Sequence, residues 1–274
     1  MEVCVDSIES SINAVEGGAT RLELCSSLAM GGTTPTLGLL HHVKQKFPNI
    51  IIHVLIRCRD GDFHYTEDEI QIMVHDIKYL VKEGADGIVI GCLDENGNVN
   101  VEQCNKLIHA SKDAGKGRQV NITFHRAFDM TPSNKIHQVM NDIIKMGCSR
   151  ILTSGQGKTA VEGSNKICEL IENYQDKIII MPGGGLNENT LVELLKICLA
   201  KQRLKVIDHT RSLIKCEVKE FHASARVAKE SAMKYRNEEL KMGSDSQEYA
   251  IMITSSEKVR KMVDAYDQFC QTES

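Results

Sequence analysis

The chain is expected to fold as a single-domain α/β protein, a (β/α)8 barrel of the TIM type covering residues 1–274, and three observations lead there. Short apolar runs alternate with amphipathic helical stretches from one end to the other, the pattern of parallel strands joined by crossover helices. Eight such runs can be read. A length of 274 residues, 42% of them hydrophobic, is enough for one large core without splitting.

In chain order the strands are "MEVCV", "RLELC", "IIIHVLIR", "GIVIG", "VNITFH", "RILTS", "KIIIMP" and "EFHASA". The intervening helices have readable apolar faces. Ile70, Met73, Val74, Ile77 and Leu80 recur at steps of three and four, as do Ile136, Val139, Met140 and Ile143, and then Leu191, Leu194, Leu195 and Cys198. Met and Cys within these stripes are read as core filling. A last helix runs from about Ser255 to Phe269. A doubly wound open sheet would need a Gly-rich turn after its first strand, and "VCVDSIESS" contains none. Two connections are long. The polar stretch 225–253 follows the eighth strand and is expected over the barrel mouth as a lid, whereas 201–219, "KQRLKVIDHTRSLIKCEVK", precedes that strand and is expected on the far face as an appendage.

Composition narrows the function. A net charge of -4, 4% aromatic content and no Trp provide neither a basic field nor stacking platforms, so no nucleic-acid partner is expected. No apolar stretch reaches 18 residues, so no membrane span is expected. The ten cysteines are scattered and form no C-x-x-C pair, which suits a reducing compartment, and no leader peptide is read at the amino end. Two motifs fail on inspection. "GQGKT" lacks the phosphate-loop glycine, since Leu152 stands there, and "DENGNVN" has Val99 and Asn105 where a calcium loop requires Gly and Glu.

What remains is a set of polar residues at strand ends, where a barrel collects its site from distant parts of the chain. In "MEVCVDS" the two-residue repeat puts Glu2 and Cys4 on one face and Val3 and Val5 on the other. "RLELC" repeats the arrangement with Glu23 and Cys25. Arg57 ends the third strand, His125 and Arg126 the fifth with Asp129 close behind, Ser154 the sixth, and His222, Ser224 and Arg226 the eighth. His125 has the right intrinsic pKa for a general acid or base, though a strand-end histidine bonded to a loop is the plain structural reading. "MPGGGL" brings Gly183, Gly184 and Gly185 to the seventh strand end, either as a tight turn or as backbone donors for an anion. Cys4 and Cys25, ending neighbouring strands, sit about one strand spacing apart, roughly 5 Å, which suits Cu(I). They are equally readable as small apolar residues of the core.

Those residues lie within blocks that resemble the CutC family, described as copper homeostasis proteins: "MEVCVDS", "GGATRLELCSSL", "GGTTP", "GDFHYTEDEI", "GADGIVIG", "TFHRAFDM", "ILTSG", "MPGGG", "FHASAR" and "MKYRN". The blocks follow family order across almost the whole chain. The resemblance implies a TIM-type barrel that is cytoplasmic in bacteria and cytoplasmic or nuclear in animals, self-association as a homo-oligomer, and Cu(I) binding. It maps the proposed family copper ligands onto Cys4 and Cys25. Two departures stand out: the 201–219 segment is longer than usual, and Ala223 occupies a position where animal members often have Cys, which weakens any three-thiol site.

Two functions therefore compete. One is a copper homeostasis protein holding Cu(I) between Cys4 and Cys25, which accounts for the thiols but not for so many arginines at the rim. The other is an enzyme acting on a small anionic or phosphorylated metabolite, with Glu2, Glu23 or His125 as acid or base. Its anion would be held by Arg57, Arg126, Arg226 and the glycine turn, near Asp129, Ser154, His222 and Ser224. No organic cofactor is expected under either.

Overall fold

The computed structural model describes residues 1–205, 218–237, 239–240 and 249–272. Eight parallel strands close on themselves. They are β1 (Glu2–Val5), β2 (Arg21–Leu24), β3 (Ile51–Leu55), β4 (Gly87–Ile90), β5 (Asn121–Phe124), β6 (Arg150–Thr153), β7 (Ile179–Pro182) and β8 (His222–Ala223). Their order is β7-β6-β5-β4-β3-β2-β1-β8, and a parallel bridge between Gly183 and His222 joins the two ends. All eight strands read from the sequence are present, so the chain is a TIM-type (β/α)8 barrel.

The crossover helices are α1 (Ile8–Glu16), α2 (Leu37–Lys46), α3 (Glu67–Lys82), α4 (Val101–Gly115), α5 (Ile136–Lys145), α6 (Ser164–Tyr174) and α7 (Glu188–Lys205), with α8 (Ser256–Thr272) ending the series. Local chemistry sets several starts. Ser7 caps α1 by accepting from the Ser10 amide, and Thr66 with Glu69 forms a capping box on α3. Outward strand positions such as Val3, Val5, Leu22, Leu24, Ile52 and Val54 are fully buried against the apolar helical faces in one continuous core. The parity read from "MEVCV" holds, with Val3 and Val5 toward the helical shell and Glu2 and Cys4 toward the barrel axis.

The axis itself is unlike the usual barrel interior of branched aliphatic residues. Its lower layers are polar: the charged Glu2, Arg21, Arg150 and Glu220 meet there beside the buried imidazole of His53. Two glycines of β4 and its end make the histidines fit. A Cβ on Gly87 would stand 2.5 Å from His53 Cδ2, and one on Gly91 would stand 2.5 Å from His125 Cε1, so each ring occupies the volume a side chain would need.

Neither long connection is a plain loop in its described part. Residues 226–254 contain an antiparallel hairpin of β9 (Arg226–Glu230) and β10 (Ala250–Thr254). It leans on α1. Asn13 Nδ2 donates to the Thr254 carbonyl at 2.8 Å, the Thr254 amide donates to Ser10 Oγ at 3.1 Å, and Lys229 pairs with Glu9 at 2.6 Å. None of the described residues of 226–254 lines the cavity at the mouth, and the two strands are held to α1 through Thr254 and Lys229. Residues 238 and 241–248 of the same stretch lie outside the described residues. Of the 201–219 segment, the first five residues continue α7, 206–217 lie outside the described residues, and Val218 is buried with its carbonyl accepting from Tyr266 Oη at 2.8 Å.

Candidate functional site

At the carboxyl ends of the strands lies a cavity of about 270 Å³. Ten of the fifteen site residues expected from the sequence line it: Cys4, Glu23, Cys25 and Arg57 from β1 to β3, His125 and Arg126 from β5, Gly184 and Gly185 after β7, and His222 and Ser224 from β8. Glu2, Asp129, Ser154, Gly183 and Arg226 do not.

Glu2 sits one layer below, fully buried. Its Oε2 accepts from Arg21 Nε at 2.5 Å, its Oε1 lies 2.8 Å from His222 Nδ1, and His53 Nδ1 is 3.6 Å away. Arg21 also pairs with Glu220, which Arg150 grips at 3.1 and 3.2 Å. Burial alone would raise the Glu2 carboxyl, but the hydrogen bond from His222 and the charge of Arg21 hold it far below the usual carboxylate range. Glu2 is therefore a fixed anion in a floor of paired charges and not an acid or base facing a ligand.

His222 links that floor to the cavity. Its Nδ1 is taken by Glu2, and its Nε2 lies 3.6 Å from Glu23 Oε2. Burial would lower the imidazole, yet Cys4, Glu2 and Glu23 together raise it well above its ordinary value. Glu23 moves the other way from Glu2. Burial, with help from the Glu2 charge, pushes it up to about 7 against the pull of His222 and Arg21. One ligand atom each from Cys4, Glu23 and His222 lie within 4.8 Å of one another. The register explains this, because Cys4 pairs with Glu23 across β1 and β2 while Glu2 pairs with His222 across β1 and β8.

Cys25 lies two residues past Glu23 on the same face and packs with Cys4, Leu55 and Val89 in a small apolar cluster. Its Sγ donates to the Glu23 carbonyl at 3.7 Å, and burial, then Glu23 and Cys4, push the thiol well above its ordinary value. The two thiols thus share a cluster, but Cys25 is outside the Cys4, Glu23 and His222 group. Ala223 lines the cavity beside them, and its carbonyl accepts from Cys4 Sγ at 3.8 Å.

On the other wall, His125 caps the short turn Arg126–Met130, its Nδ1 accepting from the Ala127 amide at 3.1 Å. That bond leaves the proton on Nε2, which is buried and has no partner among the described residues. Burial, with Arg57, lowers the imidazole to about 3, so the ring is neutral. It is a hydrogen-bond donor to the cavity and not a base. Arg57 lines the cavity but is spent on structure: Nη1 donates to the carbonyls of Met30 at 3.0 Å and Gly32 at 2.7 Å, Nη2 to that of Gly61 at 2.7 Å, and the guanidinium lies over Phe63. Asp129 and Ser154 position Arg126, whose Nε donates to Asp129 at 2.8 Å and Nη2 to Ser154 Oγ at 2.9 Å. Gly183 serves the closure of the barrel, where a Cβ would meet Leu152 at 2.6 Å. The N-terminus of α7 is not an open anion site either, because the Asn187 side chain accepts from the Asn189 and Thr190 amides. Arg226 lies on β9, where its backbone pairs with Thr254 and its carbonyl accepts from Lys258 Nζ at 3.2 Å.

Sequence reasoning missed Arg21, His53, Arg150 and Glu220. The signal was available, since each has the same inward parity as a residue that was chosen, two or four positions further along the chain: Arg21 before Glu23, His53 before Arg57, Arg150 before Ser154 and Glu220 before His222.

A closed (β/α)8 barrel with a thiol, an imidazole and a carboxylate converging at its mouth defines the class. The chain belongs to the CutC family, whose model matches residues 1–202. It is 40% identical over 267 residues to the copper homeostasis protein cutC homolog of Homo sapiens, covering 96% of this chain and 87% of that one. It is 39% identical to the family protein CutC of Parabacteroides distasonis, with 96% and 98% covered. The crystal structure of CutC from Streptococcus agalactiae superposes with a TM-score of 0.69 at 27% identity, over 81% of this chain and 97% of the other. A KDPGal structure, at TM-score 0.52 and 10% identity over 98% and 94% of the two chains, shares the fold alone. No helix among the described residues is long and apolar enough to cross a membrane.

Proposed function

We propose that the chain takes part in copper homeostasis by holding Cu(I) as cargo at the barrel mouth, with Cys4 and His222 Nε2 as the principal ligands and Cys25 as a further thiol close by. The observation that carries this is the Glu2–His222 pair. A carboxylate on Nδ1 fixes the ring and leaves Nε2, 3.6 Å from Glu23 in the group shared with Cys4, to give up its proton to the ion, the arrangement by which proteins orient a ligating imidazole. A thiolate and an imidazole suffice for a soft ion that needs few ligands, whereas Glu23 is a poor partner for it. The test is an anaerobic Cu(I) titration against a competing chelator. Cys4→Ser and His222→Gln should each weaken binding by roughly tenfold or more, with Cys25→Ser costing less. Wild-type affinity in the Cys4→Ser, Cys25→Ser double variant sinks the reading.

A second reading is favoured by the size and lining of the cavity. Its volume of about 270 Å³ far exceeds the ~10–15 Å³ that one water needs on the same measure, let alone a bare ion. On this reading the chain is a barrel enzyme acting on a small anionic metabolite, with Glu23 moving a proton and the His125 Nε2–H polarising an oxygen of the ligand.

A further inference from the structure

The cavity wall away from Cys4 carries several donors that no described residue uses. His125 Nε2–H is buried and unpartnered. Arg126 spends Nε and Nη2 on Asp129 and Ser154, but among the described residues its Nη1 makes no hydrogen bond, and it lies 3.4 Å from where a Gly184 Cβ would stand. The amides of Gly184 and Gly185 donate to no described residue either, and φ values of +102° and +73° hold this turn in a conformation that glycine adopts freely. The Ser224 hydroxyl likewise makes no hydrogen bond among the described residues. The five residues that carry these groups line one cavity, and among its described lining residues Glu23 is the only carboxylate.

We propose that this wall binds a small phosphate monoester bearing a carbonyl group, with the phosphate held by Gly184, Gly185, Arg126 Nη1 and Ser224, and the carbonyl oxygen by His125 Nε2–H. The inference rests on the catalytic reading above and deepens it by naming the ligand's chemistry. Phosphate is chosen over carboxylate for a geometric reason. Both two-nitrogen edges of Arg126 that could grip a planar carboxylate include Nη2, which is bonded to Ser154, and the Nε edge is further committed to Asp129, so Nη1 is the one nitrogen left without a described partner. What is left is several separate single donors from two loops and a strand end, which matches the three oxygens of a tetrahedral group. The position after β7 and β8 is where barrels of this class commonly hold phosphate. Here the backbone turn supplies the donors, since the start of α7 is already capped.

The test is isothermal titration calorimetry with dihydroxyacetone phosphate, glycerol 3-phosphate, inorganic phosphate, dihydroxyacetone and pyruvate. Dihydroxyacetone phosphate should bind roughly tenfold or more tighter than either glycerol 3-phosphate or inorganic phosphate. Arg126→Ala, a change at a half-exposed side chain, should weaken all three phosphates, and Ser224→Ala should do so less. His125→Ala should abolish the preference for the carbonyl compound, and circular dichroism would verify that the variant is folded. Pyruvate binding as tightly as the phosphates overturns the phosphate assignment while leaving the catalytic reading intact. Failure of every phosphate compound to bind, or wild-type phosphate affinity in Arg126→Ala, overturns the site. If dihydroxyacetone phosphate binds as expected but its C–H protons never exchange with solvent deuterium, the site stands and catalysis on that compound falls.

Discussion

Two histidines show how single residues are tuned by what surrounds them. His53 and His125 stand where Gly87 of β4 and Gly91 just past it leave room, and each is held neutral by burial, His53 at about 4 and His125 at about 3. The unfolded imidazole takes its proton near 6.5, so between that value and about 4 the unfolded chain binds more protons at position 53 than the folded one. Stability therefore falls as pH drops through that window, by a limit on the order of 3 kcal/mol for His53. Glu23 acts in the opposite sense: raised from 4.5 to about 7, it is protonated in the folded state first and favours folding as pH falls through the same range. The two are separated by comparison of variants. Urea unfolding of His53→Gln between pH 7.5 and 4.5 should show less acid destabilisation than wild type, and an unchanged pH slope would refute the assignment. The glycines give a second expectation. Gly87→Ala puts a methyl 2.5 Å from the His53 ring and 2.9 Å from the Asn121 carbonyl. It should cost roughly 1–3 kcal/mol in urea unfolding. Part of that cost should disappear in a His53→Ala background, where the ring is gone.

Between elements, the turn after β5 is tied to the end of β6 through one carboxylate. Asp129 accepts from Thr153 Oγ1 at 2.5 Å, from the Ser154 amide at 3.0 Å and from the Gln156 amide at 3.2 Å, besides its bond to Arg126. The turn carries Arg126 and the β6 end carries Ser154, so this joint decides where the Arg126 guanidinium stands. Asp129→Ala would strand these donors in a mostly buried place. A loss on the order of 3 kcal/mol is expected in urea unfolding, with Arg126 released from its position. Asp129→Asn, which keeps one acceptor oxygen, should lose less. Equal stability of the two variants would show that the bonds to the two amides and the Thr153 hydroxyl do not carry the joint. The same comparison bears on the phosphate site, because a displaced Arg126 weakens phosphate binding without touching His125.

At the scale of the whole barrel, the alternation of strands and helices and the apolar stripes were legible because burial on both faces of a parallel sheet imposes them on the sequence. The mouth was legible for a related reason: strand ends such as Cys4, Glu23, His125 and His222 announce themselves by parity. Which of them meet was not legible, because pairing depends on the stagger of the closed barrel. That stagger, absent from any one strand, sets Cys4 beside Glu23 and His222 and leaves Cys25 one step away. The side-chain economy of Arg57 was hidden too, since its partners are backbone carbonyls, Met30 and Gly32 in a loop far back in the sequence and Gly61 in the loop just after it. Least visible was the charged floor, and it makes the last prediction. Arg21 bridges Glu2 and Glu220, all three largely removed from water, and Arg150 holds Glu220 from the other side. Removing one member of such a group strands the others. Arg21→Met should cost roughly 3–5 kcal/mol, much of it the penalty of leaving two carboxylates under-compensated. Replacing Glu220 by Gln as well removes one of those anions, so the double variant should be more stable than the sum of the singles predicts, by roughly 0.5–3 kcal/mol in a double-mutant cycle. Additive losses would mean that the Arg21–Glu220 contact carries no coupling and that the floor is not held together by Arg21. Coupled losses mean that Arg21 ties Glu220 to Glu2, on which His222 and, through it, the cavity above depend.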